Sequence, residues 1–367
     1  MKYYRLDKID KIDAKYKIII SGRSDGKTYA VKEKILKRFC ESDGMEQGAI
    51  IRRWTDDFTG KRGTQMFADI VENGLVSKYS KGRWNNIKYY ASKWYLCNYD
   101  TEQHKIVEVC DEPFCFGFSL TAYEHDKSTS YPKIKWIMFD EFITKFTYMK
   151  DEFVLFCNCL STLIRCRDDC TVYMLGNVVN KYCPYFEAMG LTNVLKMKKG
   201  SIDVYNYGNS GLKVAVEYPD ITQKGIFKKK SDVFFAFNDP RLSQIRSGGE
   251  WELDIYPSCP RKYTPKEVQF IFFIEFNQQT FQCELVCGNT DVFVFIHPKT
   301  TEIKDRKKEI IYTTRFANPL PNIRKTFLHP MDIIDDKIKD LWLQGKFFYS
   351  DASTGDAVKH FLEVSVQ

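Results

Sequence analysis

Histidine is scarce, five in 367 residues, and the five fall at no spacing that would suit a zinc centre. Long apolar runs are missing as well. No stretch approaches the about eighteen consecutive apolar residues that a membrane-spanning helix needs, and the N-terminal MKYYRLDKIDKIDAKYK is charged throughout. Neither a membrane span nor a signal peptide is therefore expected, and the cytosol is the expected place of action. A disulfide framework is not indicated either: the twelve cysteines are scattered, with Cys110, Cys115, Cys157 and Cys170 inside apolar runs. Cys157 and Cys159 have no second pair at metal-site spacing. Strong net charge is lacking too. At +7 there is no general basic coat, although Lys61-Arg62, Lys78 to Arg83, Lys196 to Lys199, Lys228 to Lys230 and Arg306 to Lys308 form clusters. These suit either solvated loops or contacts to a nucleic-acid backbone.

What is present is core material for two domains: 44% of residues are hydrophobic and 15% aromatic. The most informative stretch is KIIISGRSDGKTYAV, from Lys17 to Val31. Ile18-Ile19-Ile20 has the β-branched character of a strand buried on both faces. The octet Ser21, Gly22, Arg23, Ser24, Asp25, Gly26, Lys27 and Thr28 then has the order of a phosphate loop before a helix. Its glycines let backbone N–H groups curl round a phosphate, Lys27 can reach the β- and γ-phosphates, and the Thr28 hydroxyl can hold Mg²⁺. Ser21 stands where such loops usually have their first glycine. A plain strand, turn and helix start is the other reading of the octet.

A second motif decides between them. Ile134 to Phe139 reads as a buried strand that delivers Asp140 and Glu141 to its C-terminal edge. In phosphate-loop NTPases an aspartate there holds Mg²⁺, and the following glutamate orients and deprotonates the attacking water. Two half-strong motifs in the required order imply an α/β ATPase. The strand Ala49 to Trp54, placed between them, and the glutamate after Asp140 favour the additional-strand, catalytic-glutamate branch. Ala49 to Trp54 carries Arg52 and Arg53 to the end of the sheet where α/β proteins bind ligands.

Around these, helices are expected over Tyr29 to Phe39, Thr64 to Leu75 and Asp151 to Ile164. Antiparallel hairpins are expected from Val76 to Val109, and strands over Phe114 to Leu120 and Cys170 to Leu175. The last closes on Asn177, where a polar group can hydrogen-bond a γ-phosphate. Arg165 and Arg167 precede it, where ring ATPases often present a finger to a neighbour's nucleotide; a surface pair against Asp168 and Asp169 is the alternative.

The octet, the Arg52-Arg53 strand, Ser130-Tyr131-Pro132 leading into Trp136 to Ile143, and Arg165 through Asn177 followed by Pro184-Tyr185-Phe186 together resemble the DNA-packaging ATPases of φ29-type phages. The likeness spans roughly residues 16 to 190, with a longer hairpin region near 85 to 110. It implies a motor related to large terminases, using ATP and Mg²⁺ in a ring of five subunits. Such a ring docks on a procapsid portal through a packaging RNA and drives double-stranded DNA inward, with no membrane involved. The resemblance further implies a host-cytoplasmic protein that attaches transiently to the procapsid and is absent from the virion. Carried over, Lys27 and Thr28 bind phosphate and metal, Asp140 holds the metal and Glu141 is the base. Arg165 is then the trans finger, with Arg167 the alternative, and Asn177 the coupling residue. Lys127 and, more loosely, Lys145 would face DNA. Thr55 departs from the family's basic residue after the arginine pair.

Domain boundaries are expected at 1–189 for the ATPase, 190–231 for a linker segment with short strands, and 232–367 for an α+β domain. There, Val268 to Phe276, Gln282 to Cys287 and Asp291 to Ile296 read as consecutive strands, followed by helical Ile333 to Leu343, a strand Phe347 to Tyr349 and a terminal helix. That order fits an RNase H-like domain. Glu275 in the first strand and Asp351 and Asp356 near the last are candidate metal ligands, the remaining acids do not form the set that a two-metal nuclease needs, and the resemblance implies a vestigial domain that no longer cuts. Two other functions remain in view: a terminase with an active nuclease, and a helicase-type ATPase.

Overall fold

A computed structural model describes residues 3–122, 129–144, 148–178, 183–221, 256–289, 291–314 and 320–366. The chain divides into two compact units, residues 1–179 with 184–250 and residues 251–367 with 180–183.

In the first unit, β1 (Tyr16–Ser21) leads through the octet into α1 (Lys27–Glu41). β2 (Gln47–Arg52) comes next, then three short helices, α2 (Gly60–Gln65), α3 (Ala68–Glu72) and α4 (Leu75–Tyr79). Strands β3 (Asn86–Tyr90), β4 (Lys93–Asp100), β5 (Lys105–Val109) and β6 (Cys115–Ser119) come after them, then β7 (Ile134–Asp140), α5 (Glu152–Ile164), β8 (Thr171–Asn177), α6 (Pro184–Ala188), β9 (Ser201–Asn206) and β10 (Lys213–Tyr218). The sheet order is β3-β4-β6-β2-β7-β8-β1-β10-β9, with β5 paired to β4.

From β6 to β10 every pairing is parallel, which explains the unbroken apolar runs: Ile18 to Ile20, Ala49 to Ile51 and Ile137 to Phe139 are all buried. Burying one side chain such as Ile19 or Met138 completely contributes about 2 kcal/mol. The antiparallel β4 joins the hairpins to this core through Trp94, which pairs with Cys115 and is fully buried.

Two expectations change. The strand between β1 and β7 in space is β8, whereas Ala49–Trp54 lies on the far side of β7, so the two motif strands are not neighbours. Parallel crossovers leave spatial order free of chain order. The single helix over Thr64 to Leu75 is broken, because the Lys32 ammonium takes the Met66 carbonyl (2.7 Å) and the Asp69 carboxylate (2.6 Å), and Gly74 turns the chain at φ 67°. The short strands expected within 190–231, Ile202 to Tyr205 and Lys213 to Glu217, are present as β9 and β10, and both join the sheet, β10 lying parallel to β1.

The second unit holds β11 (Val268–Phe276), β12 (Gln279–Cys287), β13 (Val292–Pro298), β14 (Ile311–Thr313), β15 (Ile323–Arg324), α7 (Ile333–Leu343), β16 (Phe347–Tyr349) and α8 (Ala352–Ser365). Its sheet runs β15-β14-β11-β12-β13-β16, antiparallel across β11-β12-β13 and parallel elsewhere. No helix among the described residues is long and apolar enough to cross a membrane.

Candidate functional site

The parallel strands β2, β7, β8 and β1 end side by side, and their C-terminal ends open into a cleft of about 670 Å³. Its lining comes from the octet and α1 start, the arginines after β2, the acids after β7 and Asn177 at the end of β8. Ser21 lies opposite Asn177 across β1 and β8, and Asp140 opposite Leu175 across β7 and β8. This register brings groups more than a hundred residues apart into one cleft.

Gly26 precedes α1 at φ 90°, a conformation that costs most other residues about 1 kcal/mol or more. A Cβ there would also come within 3.1 Å of the Tyr3 Cβ. Lys27, on the first turn, is buried and donates to the Gly22 carbonyl at 3.0 Å and the Asn177 Oδ1 at 2.6 Å. Burial pushes its ammonium down from the usual lysine value, against the pull of Asp140. A cation held by two neutral acceptors is poised to gain from an arriving anion.

The Thr28 Oγ1 donates to the Asp140 Oδ1 at 3.1 Å, and Asp140 is itself buried. Arg52 spans the two acids: Nη2 reaches the Asp140 Oδ2 at 2.8 Å and Nη1 the Glu141 Oε2 at 2.9 Å. Its Nε is buried without a partner, a donor left over in the cleft wall. Glu141 breaks the strand at φ 60° and stands 59% exposed, whereas Asp140 continues β7. Hydroxyl and carboxylate oxygens side by side are the donor set of a hard divalent cation, and the unsatisfied Arg52 Nε suits a polyanion, so these residues fit Mg²⁺ and a nucleoside triphosphate.

Lys27, Thr28, Asp140, Glu141 and Asn177 are thus brought together, with exposed Arg23 and Ser24 and half-buried Asp25 on the loop, and buried Ser21 and Gly22 at its root. Arg165 and Arg167 are not among the cleft residues. They lie between α5 and β8, at the N-terminal end of β8, whereas the octet follows the C-terminal end of the parallel β1. Arg165 caps α5 in the left-handed region and is exposed. Arg167 is committed elsewhere: its guanidinium donates to the carbonyls of Tyr131 (3.1 Å), Pro132 (2.9 Å), Leu163 (2.8 Å) and Ile164 (3.1 Å). Extending Arg167 would strip four acceptors of their donor. Lys127 and Lys145 lie outside the described residues.

In the sequence Arg52 and Arg53 stand out only as basic residues at the ligand end of a strand. Neighbouring residues in a strand point to opposite faces, and that alternation is the available signal that the two arginines take different partners. Arg53 is buried, with Nη2 2.8 Å from the Glu152 Oε1.

In the second unit, Glu275 on β11 is 2.5 Å from the Arg306 guanidinium, while Asp351 and Asp356 belong to the β16–α8 end. Three strand spacings, about 14 Å, separate β11 from β16. No group of three or more metal-ligating side chains occurs among the described residues.

Comparison with known structures gives the class: the fold is that of phage DNA-packaging motor proteins. The chain superposes on the Phi-28 gp11 DNA packaging motor with a TM-score of 0.57 at 16% identity, covering 100% of this chain and 98% of that one. For the bacteriophage Phi-29 viral genome packaging motor assembly the TM-score is 0.56 at 15% identity, covering 99% of each. Residues 109–297 match the family of Podovirus DNA encapsidation proteins (Gp16), and the chain belongs to that family. The DNA packaging protein of Bacillus phage B103 is 26% identical over 206 residues, 55% of this chain and 53% of that protein. That of Bacillus phage phi29 is 25% identical over 191 residues, 50% and 49%. The chain thus matches about half the length of these relatives.

Proposed function

We propose that this chain is an ATP-hydrolysing motor, a phosphate-loop NTPase of the additional-strand, catalytic-glutamate type, that drives double-stranded viral DNA into a procapsid. The observation that carries this reading is the convergence of Lys27, Thr28, Asp140, Glu141 and Asn177 on one cleft, with β8 between β1 and β7. Lys27 exchanges Asn177 and the Gly22 carbonyl for the β- and γ-phosphates, a swap favoured because a desolvated cation gains more from charged than from neutral acceptors. Thr28 and Asp140 would hold Mg²⁺, which supplies charge neutralisation on the phosphoryl oxygens. Glu141, projecting into the cleft, takes the proton of the attacking water once Arg52 turns to the phosphates. Asn177, released from Lys27, senses the γ-phosphate. Arg165, exposed near the N-terminal end of β8, acts on a neighbouring subunit's nucleotide in a ring, for which the relatives' resemblance suggests five subunits on a portal with packaging RNA, in the host cytoplasm. DNA contacts from Lys127 and Lys145 belong to the same proposal.

The ATPase domain extends beyond residue 189 to take in β9 and β10. An RNase H-like reading of the second unit is supported by its strand order: a three-stranded antiparallel meander, β13-β12-β11, continued beyond β11 by the parallel β14 and β15. The Arg306 partner of Glu275 and the lack of a group of three or more metal-ligating side chains among the described residues favour a domain that no longer cuts.

The test is the ATPase rate against protein concentration, with and without duplex DNA. A motor that needs a neighbour's Arg165 is nearly silent when dilute and accelerates steeply on assembly. A specific rate independent of concentration would remove the ring mechanism, and unwinding of a forked duplex would indicate a helicase.

A further inference from the structure

Beneath the cleft lies a buried ion pair that the proposed mechanism leaves unused. Arg53 comes directly after β2 and borders the cleft beside Arg52, but its side chain is buried. Its guanidinium makes four directed contacts. Nε donates to the Glu152 Oε2 at 3.1 Å, Nη2 reaches the Glu152 Oε1 at 2.8 Å and donates to the Phe142 carbonyl at 2.5 Å, and Nη1 donates to the Glu141 carbonyl. Glu152, the first residue of α5, is buried and also accepts from the Tyr185 hydroxyl at 2.8 Å and the Met149 N–H at 3.0 Å. Every lone-pair direction of that carboxylate is therefore used.

The two carbonyls that Arg53 grips belong to the peptide units after Glu141 and Phe142. Glu141 is held at φ 60°, a conformation that is unfavourable for a side chain with a Cβ and that aims its carboxylate into the cleft instead of along the strand. Something must hold that backbone. Asp140 is fixed by the β7–β8 pairing, but Glu141 lies past the end of the strand, and the Phe142 N–H reaches the Leu175 carbonyl at 3.2 Å. The Arg53 fork closes the other side of the turn.

We infer that Arg53, fastened from behind by Glu152, is a positioning residue for Glu141: it fixes the turn that presents the base to the attacking water, without touching nucleotide itself. The inference rests on the proposed role of Glu141. A shift of about 1 Å in a general base costs on the order of 100-fold in rate while leaving phosphate contacts alone.

Truncating Arg53 alone would strand the Glu152 charge in the interior, so the informative variant pairs Arg53→Met with Glu152→Gln. It keeps the volume, leaves an amide oxygen to accept from the Met149 N–H while the amide nitrogen can donate to the Tyr185 hydroxyl, and removes both charges. In the full-length chain with duplex DNA, single-turnover hydrolysis should fall about 100-fold, while MgATP affinity stays within about threefold and melting stays cooperative. Arg53→Lys, which keeps the charge but cannot fork between Glu152 and two carbonyls, should fall about tenfold. In a Glu141→Gln background the paired variant should cause no further loss, because there is no base left to misplace. A folded paired variant that hydrolyses ATP at the wild-type rate, or that loses affinity and rate together, overturns the positioning role alone. A wild-type chain that binds no nucleotide overturns it together with the motor reading.

Discussion

Arg52 joins the end of β2 to the carboxylate of Glu141 across 2.9 Å, while its other nitrogen holds Asp140 at 2.8 Å. The proposed base is thus engaged by a cation in this state. Arriving γ-phosphate offers Arg52 a stronger partner. On that exchange Arg52→Ala should bind MgATP within about tenfold of wild type but hydrolyse it 10- to 100-fold more slowly, roughly the loss of one charged group at the transferring phosphoryl. Phosphate release and nucleotide binding measured on one preparation check this; undiminished turnover would mean that Arg52 only restrains Glu141.

Lys27 separates function from stability. Its ammonium is buried, its pKa is pushed down by desolvation, and its hydrogen-bond acceptors are neutral. Lys27→Met should therefore leave the melting temperature of the nucleotide-free protein unchanged or slightly higher, while MgATP affinity falls at least about 100-fold. Calorimetric melting and a nucleotide titration on the same sample read both. A variant that melts much lower would show the lysine to be a structural cation.

Much of this site was legible because its strands are buried on both faces. Ile18 to Ile20 and Ile134 to Phe139 could only be central strands, and each runs directly into polar residues, the octet in one case and the acid pair in the other. The spatial order was not legible: nothing in the chain says that β8 inserts between β1 and β7, because any right-handed crossover of sufficient length could place it elsewhere. Nor could composition separate Arg165 from Arg167. Their difference lies in four carbonyls, two of them more than thirty residues upstream. Arg53 was hidden for the same reason, since its partner Glu152 is 99 residues away.

The two arginines after α5 should behave oppositely. Arg167→Ala leaves the α5 carbonyls and the Tyr131-Pro132 turn without donors and should destabilise the first unit by about 2 kcal/mol. Arg165→Ala should melt like wild type and yet fail to hydrolyse ATP in assembled protein. Mixed with Glu141→Gln, it should recover part of the activity, because each variant can supply what its neighbour lacks. Chemical denaturation and mixing experiments distinguish them; normal turnover by Arg165→Ala would end the trans-finger assignment.

The second unit should not cut DNA. With Glu275 bound to Arg306 and no group of three or more metal-ligating side chains among the described residues, Mg²⁺ or Mn²⁺ should produce no plasmid nicking by the purified chain. Glu275→Ala should change only stability, by about 1 kcal/mol or less for so exposed a pair. Nicking that Glu275→Ala abolishes would restore the active-terminase reading.

Acid should loosen the floor of the site through Asp10. Burial pushes its carboxyl up, but hydrogen bonds from the Lys34 ammonium (2.6 Å) and the Tyr173 hydroxyl (2.7 Å), with the Lys17 ammonium at 3.1 Å, together hold it below the usual carboxylate value. Those partners sit on α1, β8 and β1, the three elements that carry Lys27, Asn177 and the octet. A depressed folded-state pKa means that the folded form binds its proton later than the unfolded chain does. The stabilisation is therefore fully present above the unfolded value of about 3.9 and is lost as pH falls from there through the lowered folded value. Asp10→Asn should lower the melting temperature at neutral pH and flatten its decline below about pH 4, so that the wild-type and variant curves converge in acid. Parallel melting curves at every pH would show that Asp10 contributes shape and not charge.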